Sequence, residues 1–564
     1  MEHAAAHHAS KFTPKQKKVA LTIVALAFVM DLLDNTIVNI AIPSIQANLG
    51  ASYAMIQWMI AGYALTFALL LITGGRMGDV FGYKKMFLFG VAGFTVASLL
   101  TGIAPTAMFL VIARLIQGAM AALMVPQVMS MMQIMYKPQE RTQVMGLFGM
   151  LAGLAASLGP IVGGFLIKAN FFGWDWRPIF LINLPVGIFA FVAGMKYLPD
   201  GKSEHPLHID IKGTFLIVIA LSLLVFPLIQ GRDLDWPVWI LGMIAASIPA
   251  LAFFGWYENR KHKRDSSALI VPSLFSKRSF VSGLVLNVLL ESIMIGYFLT
   301  ITLVLQAGLG VDVLKAAFIG VPTAFGMALS FAVFGNKLIP KFGRNVISIG
   351  ATLFAAGLIC TTWVITHYTL HVAGWQFAPG LFVSGVGLAL IMAPIFSAAL
   401  QDVEPSHAGS ASGVLNAIQQ VGGAIGVAVI GVIFFGQLTH GALKSIDDVS
   451  PQLRKDLTSL HVPVQAQDQI LAQTRTCFYD RTTAKDSNEL PESCKQAEAS
   501  AGDNSEAAKK VGAVVAQSAK QANADNFAHA FKMGVIYVIS MLVVAVIVSQ
   551  TLPKKFRVVE EGAH

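Results

Sequence analysis

The stretch Met30-Asp31-Leu32-Leu33-Asp34-Asn35-Thr36-Ile37-Val38-Asn39-Ile40-Ala41-Ile42-Pro43 lies within an apolar run that begins near Val19. A run of this length crosses about 30 Å of hydrocarbon as a helix. Two carboxylates at its centre each cost about 2.5 to 3.5 kcal/mol on an insertion scale, so each is a candidate functional group. With a rise of about 1.5 Å per residue, Asp31 and Asp34 sit roughly 18 and 22 Å from the start of the helix. At about 100° per residue, Asp31, Asp34, Asn35 and Asn39 share an arc of about 140°. This is one polar face on an otherwise lipid-compatible helix.

The rest of the chain agrees with a membrane setting. Of 564 residues, 55% are hydrophobic and 13% charged, and the mean hydropathy is +0.66. Soluble domains carry about 25% charged residues, so an ordinary soluble enzyme is excluded. The net charge of +9 falls between apolar runs, where Lys and Arg act as topology signals, and no nucleic-acid surface is expected. Three cysteines without a paired motif, and no phosphate-binding loop, imply no metal site and no cofactor.

Hydropathy predicts about fourteen membrane-spanning helices in an all-α protein. The expected parts are a tail (1–18), a six-helix bundle (19–200), two inserted spans (205–260), a second six-helix bundle (279–552) and a tail (553–564). The fifth and tenth spans are expected at 142–168 and 315–335. Lys and Arg crowd one side, which puts both termini in the cytoplasm. Residues 436–526 turn polar and form an extracytoplasmic loop, read as a helical hairpin or a partly disordered cap. Cys477 and Cys494 lie in it, either bridged on the oxidising side of the membrane or as two free thiols.

Arg114, on the fourth span, lies at about the depth of Asp31 and Asp34. A cation facing two acids makes each charge tolerable. Glu291 lies about 18 Å into the ninth span and suits a proton carrier or a cation-recognising group. Asp34, Asp31, Glu291 and Arg114 are thus the expected proton-coupling residues. Asn35, Asn39, Gln57, Trp58, Tyr63 and Gln117 are expected to line a substrate cavity, joined by Asn416 and Gln419 from the thirteenth span. Met120, Met124, Met131 and Met135 share a face of the fourth span, as packing or as an adaptable pocket wall.

Several strings carry a resemblance. Leu33-Asp34-Asn35-Thr36-Ile37-Val38-Asn39 through Pro43 resembles the first-span signature of the fourteen-span drug-proton antiporters of the major facilitator superfamily. Gly75-Arg76-Met77-Gly78-Asp79-Val80-Phe81-Gly82-Tyr83-Lys84-Lys85 resembles that superfamily's cytoplasmic gating motif. Arg114-Leu115-Ile116-Gln117-Gly118 is similar to its fourth-span motif, and Gly159-Pro160-Ile161-Val162-Gly163-Gly164 to its antiporter motif. Trp174 through Pro185, including Asn183, also fits.

The resemblance implies two six-helix bundles, alternating access, and a gate latched by Asp79 with the basic loop. Phe342-Gly343-Arg344 echoes the first gating loop, with Pro340 where Asp79 would align. The expected activity is proton-driven export of cationic or amphipathic small molecules across a bacterial inner membrane, not catalysis. The expected partners are those substrates, protons, membrane lipid and a periplasmic adaptor. Export of a lipid, siderophore or endogenous metabolite, or a non-transporting sensor or scaffold, are the competing readings.

Overall fold

The computed structural model describes residues 13–136, 138–201, 210–231, 234–265, 268–270, 272–330, 341–403, 408–484, 491–500 and 506–554. Among them there is no strand. The helices are α1 (Pro14–Leu49), α2 (Tyr53–Phe81), α3 (Tyr83–Gly102), α4 (Ala107–Met135), α5 (Pro138–Ala169), α6 (Pro178–Leu181), α7 (Asn183–Tyr197), α8 (Ile211–Gln230) and α9 (Val238–Asp265). The chain continues with α10 (Arg278–Leu303), α11 (Val313–Ile319), α12 (Val321–Leu329), α13 (Asn345–Tyr368), α14 (Ala378–Leu400), α15 (Ala408–Ser459), α16 (Val464–Thr483), α17 (Glu492–Ser500) and α18 (Glu506–Ser549).

Local chemistry sets the helix ends. The Thr13 side chain accepts from the Gln16 backbone while Gln16 reaches back to Thr13, a reciprocal cap with Pro14 in the first turn. Gly50 closes α1 at φ 63°, and Ser52 then starts α2 by accepting from the Met55 N–H. Between α2 and α3 the chain turns on Gly82 alone, at φ 100°, a conformation that a side chain would strain.

Among the described residues twelve helices are long and apolar enough to cross a membrane, so the protein is a multi-pass membrane protein. Two shorter apolar stretches, Leu158–Ala169 and Val313–Leu329, occupy the fifth and tenth expected places. The expected count of fourteen rests on these two. The first turns of α5 are polar, from Gln139 to Gln143, and residues 331–340, Pro340 among them, lie outside the described residues.

Packing falls into two groups. Helix α1 lies on α5 and α7, and α2 and α3 lie on α4. Later in the chain α10 packs on α14, α15 and α18, α13 on α14, and α15 on α18. Helix α2 against α15 and α5 against α11 join the groups, and the α8–α9 pair leans on α2 and α15. Close approach is bought by small residues: a methyl at Gly118 would stand 2.4 Å from the Tyr63 carbonyl oxygen. Met120 and Met124 are packed under Gly93 and Gly90 of α3, so the methionine face is core packing there.

The segment 436–526 differs from the expected loop that starts at Gly436. Helix α15 runs through that position without a break for 52 residues, about 78 Å in all, far more than a bilayer needs. Its outer part, α16, α17 and the start of α18 form a helical cap, and Cys477 is bonded to Cys494 within it. The cap is tied down through Asn526 Nδ2 to the Leu438 carbonyl (2.9 Å) and Asn523 Nδ2 to the Ala307 carbonyl (2.8 Å).

Candidate functional site

The first turns of α1 beyond its midpoint place Asp31 and Asp34 inside the bundle, both buried. Asp34 pairs with the Arg114 guanidinium, also buried, from α4. Its other oxygen, Oδ1, accepts from Gln117 Nε2 at 2.9 Å and from Asn183 Nδ2 at 2.8 Å. Arg114 is held in turn by the Gln117 side-chain oxygen (2.8 Å) and the Met59 carbonyl (3.2 Å). A carboxylate with three donors and a cation held by a counter-ion and two further acceptors are what a low-dielectric interior requires.

Asp31 is not a second partner of Arg114, as the matched depths had implied. It accepts from the Tyr63 hydroxyl instead, and Arg114 stacks over the Tyr63 ring, 4.3 Å from its centroid. Depth along the axis was shared; the neighbouring helix that each acid meets was not. One guanidinium in a pocket walled by Tyr63 and Phe180 reaches only the nearer acid.

The expected cavity residues separate. Gln117 and Tyr63 belong to the acid cluster. Asn35 is bonded back to the Asp31 carbonyl within its own helix (3.2 Å), and the buried Asn39 Oδ1 has no protein partner. Gln57 packs against Gly431 of α15, and Trp58 lies against Phe226 of the inserted α8, ring centres 5.9 Å apart. A cavity of about 660 Å³ opens elsewhere, near the cap, lined in part by Asp312, Lys315, Phe318 and Trp375.

In the second group, Glu291 of α10 is buried and accepts from Gln419 Nε2 of α15 at 2.6 Å. Gly422 lets the two helices approach, since a methyl there would meet the Val288 backbone at 2.9 Å. The Asn416 side chain lies outside the described residues.

The loop that resembles a gating motif is built from close packing and charge. A methyl at Gly78 would strike Gln127 Oε1 at 2.0 Å, while Gly75 faces Pro126. Asp79 accepts from the Tyr83 hydroxyl at 2.9 Å; burial lifts its carboxyl above the ordinary range, against the pull of that bond and of Arg76. Lys84 reaches Asp200 at 3.7 Å, and Lys85 is exposed. Arg76 donates to the Ala268 carbonyl, beyond the inserted pair, and burial lowers its affinity for a proton while Glu258, Asp210 and Asp79 raise it. Arg344 of the second loop donates to the Leu552 carbonyl at 2.9 Å, tying α13 to the end of α18.

The antiporter-motif glycines seat α5 on two partners. A methyl at Gly159 would meet Thr36 Oγ1 at 2.0 Å, and one at Gly163 would meet Ile37 and Ile40. Gly164 faces Leu314 and Ala317 of α11, and Pro160 lies between them in α5. Nearby, Lys168 pairs with Asp312 (3.3 Å) and Gln306 donates to the Ile40 carbonyl (3.1 Å).

Sequence reasoning missed Asn183 and Ser98 as site residues. Asn183 directly precedes Leu184-Pro185, and a neutral amide raises no charge alarm. Its signal was polarity alone in an apolar span.

A family model described as Major Facilitator Superfamily matches residues 24–427. The chain is 37% identical to a Streptomyces coelicolor protein named "Probable actinorhodin transporter", over 96% of this chain and 93% of that one. It is 33% identical to the tetracenomycin C resistance and export protein of Streptomyces glaucescens, over 73% and 75% of the two chains. Among solved structures, an inward-facing bacterial homologue of the human lysosomal transporter Spinster superposes with a TM-score of 0.56 at 15% identity, covering 96% of this chain and 98% of the other. The last likeness bears on the fold.

Proposed function

The chain belongs to the Major Facilitator Superfamily, and from that membership we propose a proton-coupled antiporter that exports cationic or amphipathic small molecules by alternating access. The observation that carries the reading is the buried pair of Asp34 and Arg114, with Asp31 one turn away on Tyr63. No packing need explains two acids and a guanidinium at this depth, and each is costly in lipid. A third buried acid, Glu291 with Gln419, supplies a further exchange site in the other half. Relatives named for antibiotic resistance and export support an efflux role.

The proposed cycle uses this chain's own groups. A proton neutralises a carboxylate and lets it face an apolar environment while the halves rearrange. Its release on the cytoplasmic side restores a negative site for a cation. Each elementary charge moved through about 100 mV contributes about 2.3 kcal/mol. With the cap outside and both termini in the cytoplasm of a bacterial inner membrane, the contacts of Lys168 with Asp312 and Gln306 with Ile40 hold the outer end shut. The groups joined by those contacts are the two bundles that would rock against each other. Asp79, Tyr83 and Arg76 then form part of the cytoplasmic latch.

A second reading, export of a compound the cell itself makes, keeps the same site and changes only the cargo. The word "export" in a relative's name favours retaining it. The test is reconstitution in liposomes with an imposed pH gradient and a panel of cationic dyes. Dye should be driven against its gradient when protons flow the other way. A flux indifferent to pH on both faces overturns the proposal.

A further inference from the structure

Three buried side chains around Asp34 share their hydrogen bonds in a specific way. Gln117 Nε2 directs its two protons to Asp34 Oδ1 and Ser98 Oγ, each at 2.9 Å. Asn183 Nδ2 directs its two to the same atoms, at 2.8 and 3.3 Å. Asp34, Ser98, Gln117 and Asn183 are exposed by 1, 0, 0 and 3%. A carboxylate offers about two lone-pair sites per oxygen. Both sites on Oδ1 are thus occupied by amide N–H groups, which donate hydrogen bonds but do not ionise as acids at neutral pH. Asp34 Oδ2 faces Arg114.

We propose that Asn183, braced by Ser98, is a positioning residue that reserves Oδ1 of Asp34 for amide donors, so that an incoming proton is directed to Oδ2, the oxygen paired with Arg114. The proposal rests on the reading of Asp34 as a proton carrier. Protonation converts the carboxylate to the neutral acid, breaks the ion pair and leaves Arg114 cationic, so the site gains one positive charge. Arg114 has somewhere to go: its guanidinium already lies on the Tyr63 ring, whose hydroxyl touches Asp31. The charged or titratable groups around Asp34 are Arg114 from α4, Tyr63 from α2 and Asp31 from its own helix. Helices α3 and α7 supply only neutral Ser98 and Asn183. Without the Asn183 donor a site on Oδ1 falls vacant, and a proton can bind away from the oxygen that Arg114 holds.

The test follows Asp34 itself. Infrared difference spectra of the full chain in lipid vesicles, taken across pH, give the protonated-carboxyl band that disappears in Asp34→Asn. In Asn183→Leu the midpoint of that band should move to higher pH by about one unit, the tenfold change that about 1.4 kcal/mol represents. Ser98→Ala should move it in the same direction, and stands as the readout should Asn183→Leu not insert. A midpoint equal to the parent's in the variants that insert overturns the proposal. Failure of the antiport reading looks different: dye flux would ignore pH while the band shift persisted.

Discussion

The Arg114 guanidinium lies over the Tyr63 ring, 4.3 Å from its centroid, while the Tyr63 hydroxyl donates to Asp31. One side chain therefore touches the cation with its face and the second acid with its edge. Tyr63→Phe separates these roles. It keeps the ring for Arg114 and removes the donor from Asp31, leaving a buried acceptor short of a bond at about 1 to 3 kcal/mol. Tyr63→Phe should insert normally, show a lower thermal midpoint and retain part of its proton-driven flux. Tyr63→Leu should lose both contacts and nearly all flux. Equal flux in Phe and Leu variants would show that the ring contact is immaterial.

Asp34→Asn keeps the shape of the cluster and removes its charge. Arg114 is then a buried cation without a counter-ion, a loss that costs about 3 to 5 kcal/mol when one member of a buried pair is removed. The expected result is at least a tenfold fall in dye flux driven by a pH gradient, with the protein still inserted. Counterflow of dye without a gradient separates coupling from binding. An Asp34→Asn protein that followed the proton gradient as the parent does would remove Asp34 from the mechanism.

Glu291 is matched to one donor, Gln419 Nε2, across the α10 and α15 interface. Glu291→Gln, isosteric and uncharged, should reduce proton-driven flux several-fold while raising or preserving thermal stability, because a buried carboxyl is costly. Gln419→Leu should lower stability by about 1 to 3 kcal/mol by stranding that carboxyl. If Glu291→Gln exports at the parental rate across pH, the second half contributes packing only.

Asp79 provides a pH dependence whose sign can be stated. Its carboxyl is lifted above its ordinary value of 3.8, first by burial, with the Tyr83 bond and Arg76 opposing. A folded state that holds the acid form more readily than the unfolded chain is favoured fully below the ordinary value. That advantage is lost as pH rises through the lifted value. Asp79→Asn should match the parent's thermal midpoint in acid and exceed it increasingly from about pH 4 upward, until the carboxyl is ionised in both states. A constant difference at every pH would show that Asp79 does not titrate on unfolding.

Why some of this was legible follows from what each residue costs. Asp34 and Arg114 announce each other because neither charge is tolerable alone in lipid. Asn183 and Ser98 carry the same site at no such cost, so apolar neighbours hide them. Asp31 shares depth with Arg114, but hydropathy says nothing of which helix face meets which neighbour. The long apolar helices are legible for the same reason, while α5 and the α11–α12 pair are short of apolar length. Helix α15 shows the converse limit: polarity after Gly436 marks the end of the lipid, and Ala, Leu, Lys and Gln carry the helix onward regardless.

The cap gives the last prediction. Its disulfide joins residues 17 apart in sequence, Cys477 on α16 and Cys494 on α17. Closing a loop of that size stabilises the folded form by about 3 kcal/mol in the chain-entropy view. Beside it, Ser493 bonds Asp480 at 2.6 Å, and the exposed ion pair of Lys495 with Glu492 is local to α17. The pairs Arg475 with Asp447 and Arg454 with Asp468 instead hold α16 to α15. Cys477→Ser with Cys494→Ser should therefore release α17 first, read as faster protease cleavage between α16 and the start of α18, with α15 and α16 still protected. The acid cluster is built from α1, α2, α3, α4 and α7, none of which the cap holds. Dye flux in the double variant should stay within about twofold of the parent, the difference that about 0.4 kcal/mol makes. A large loss of flux with the spans intact would mean that the cap takes part in transport.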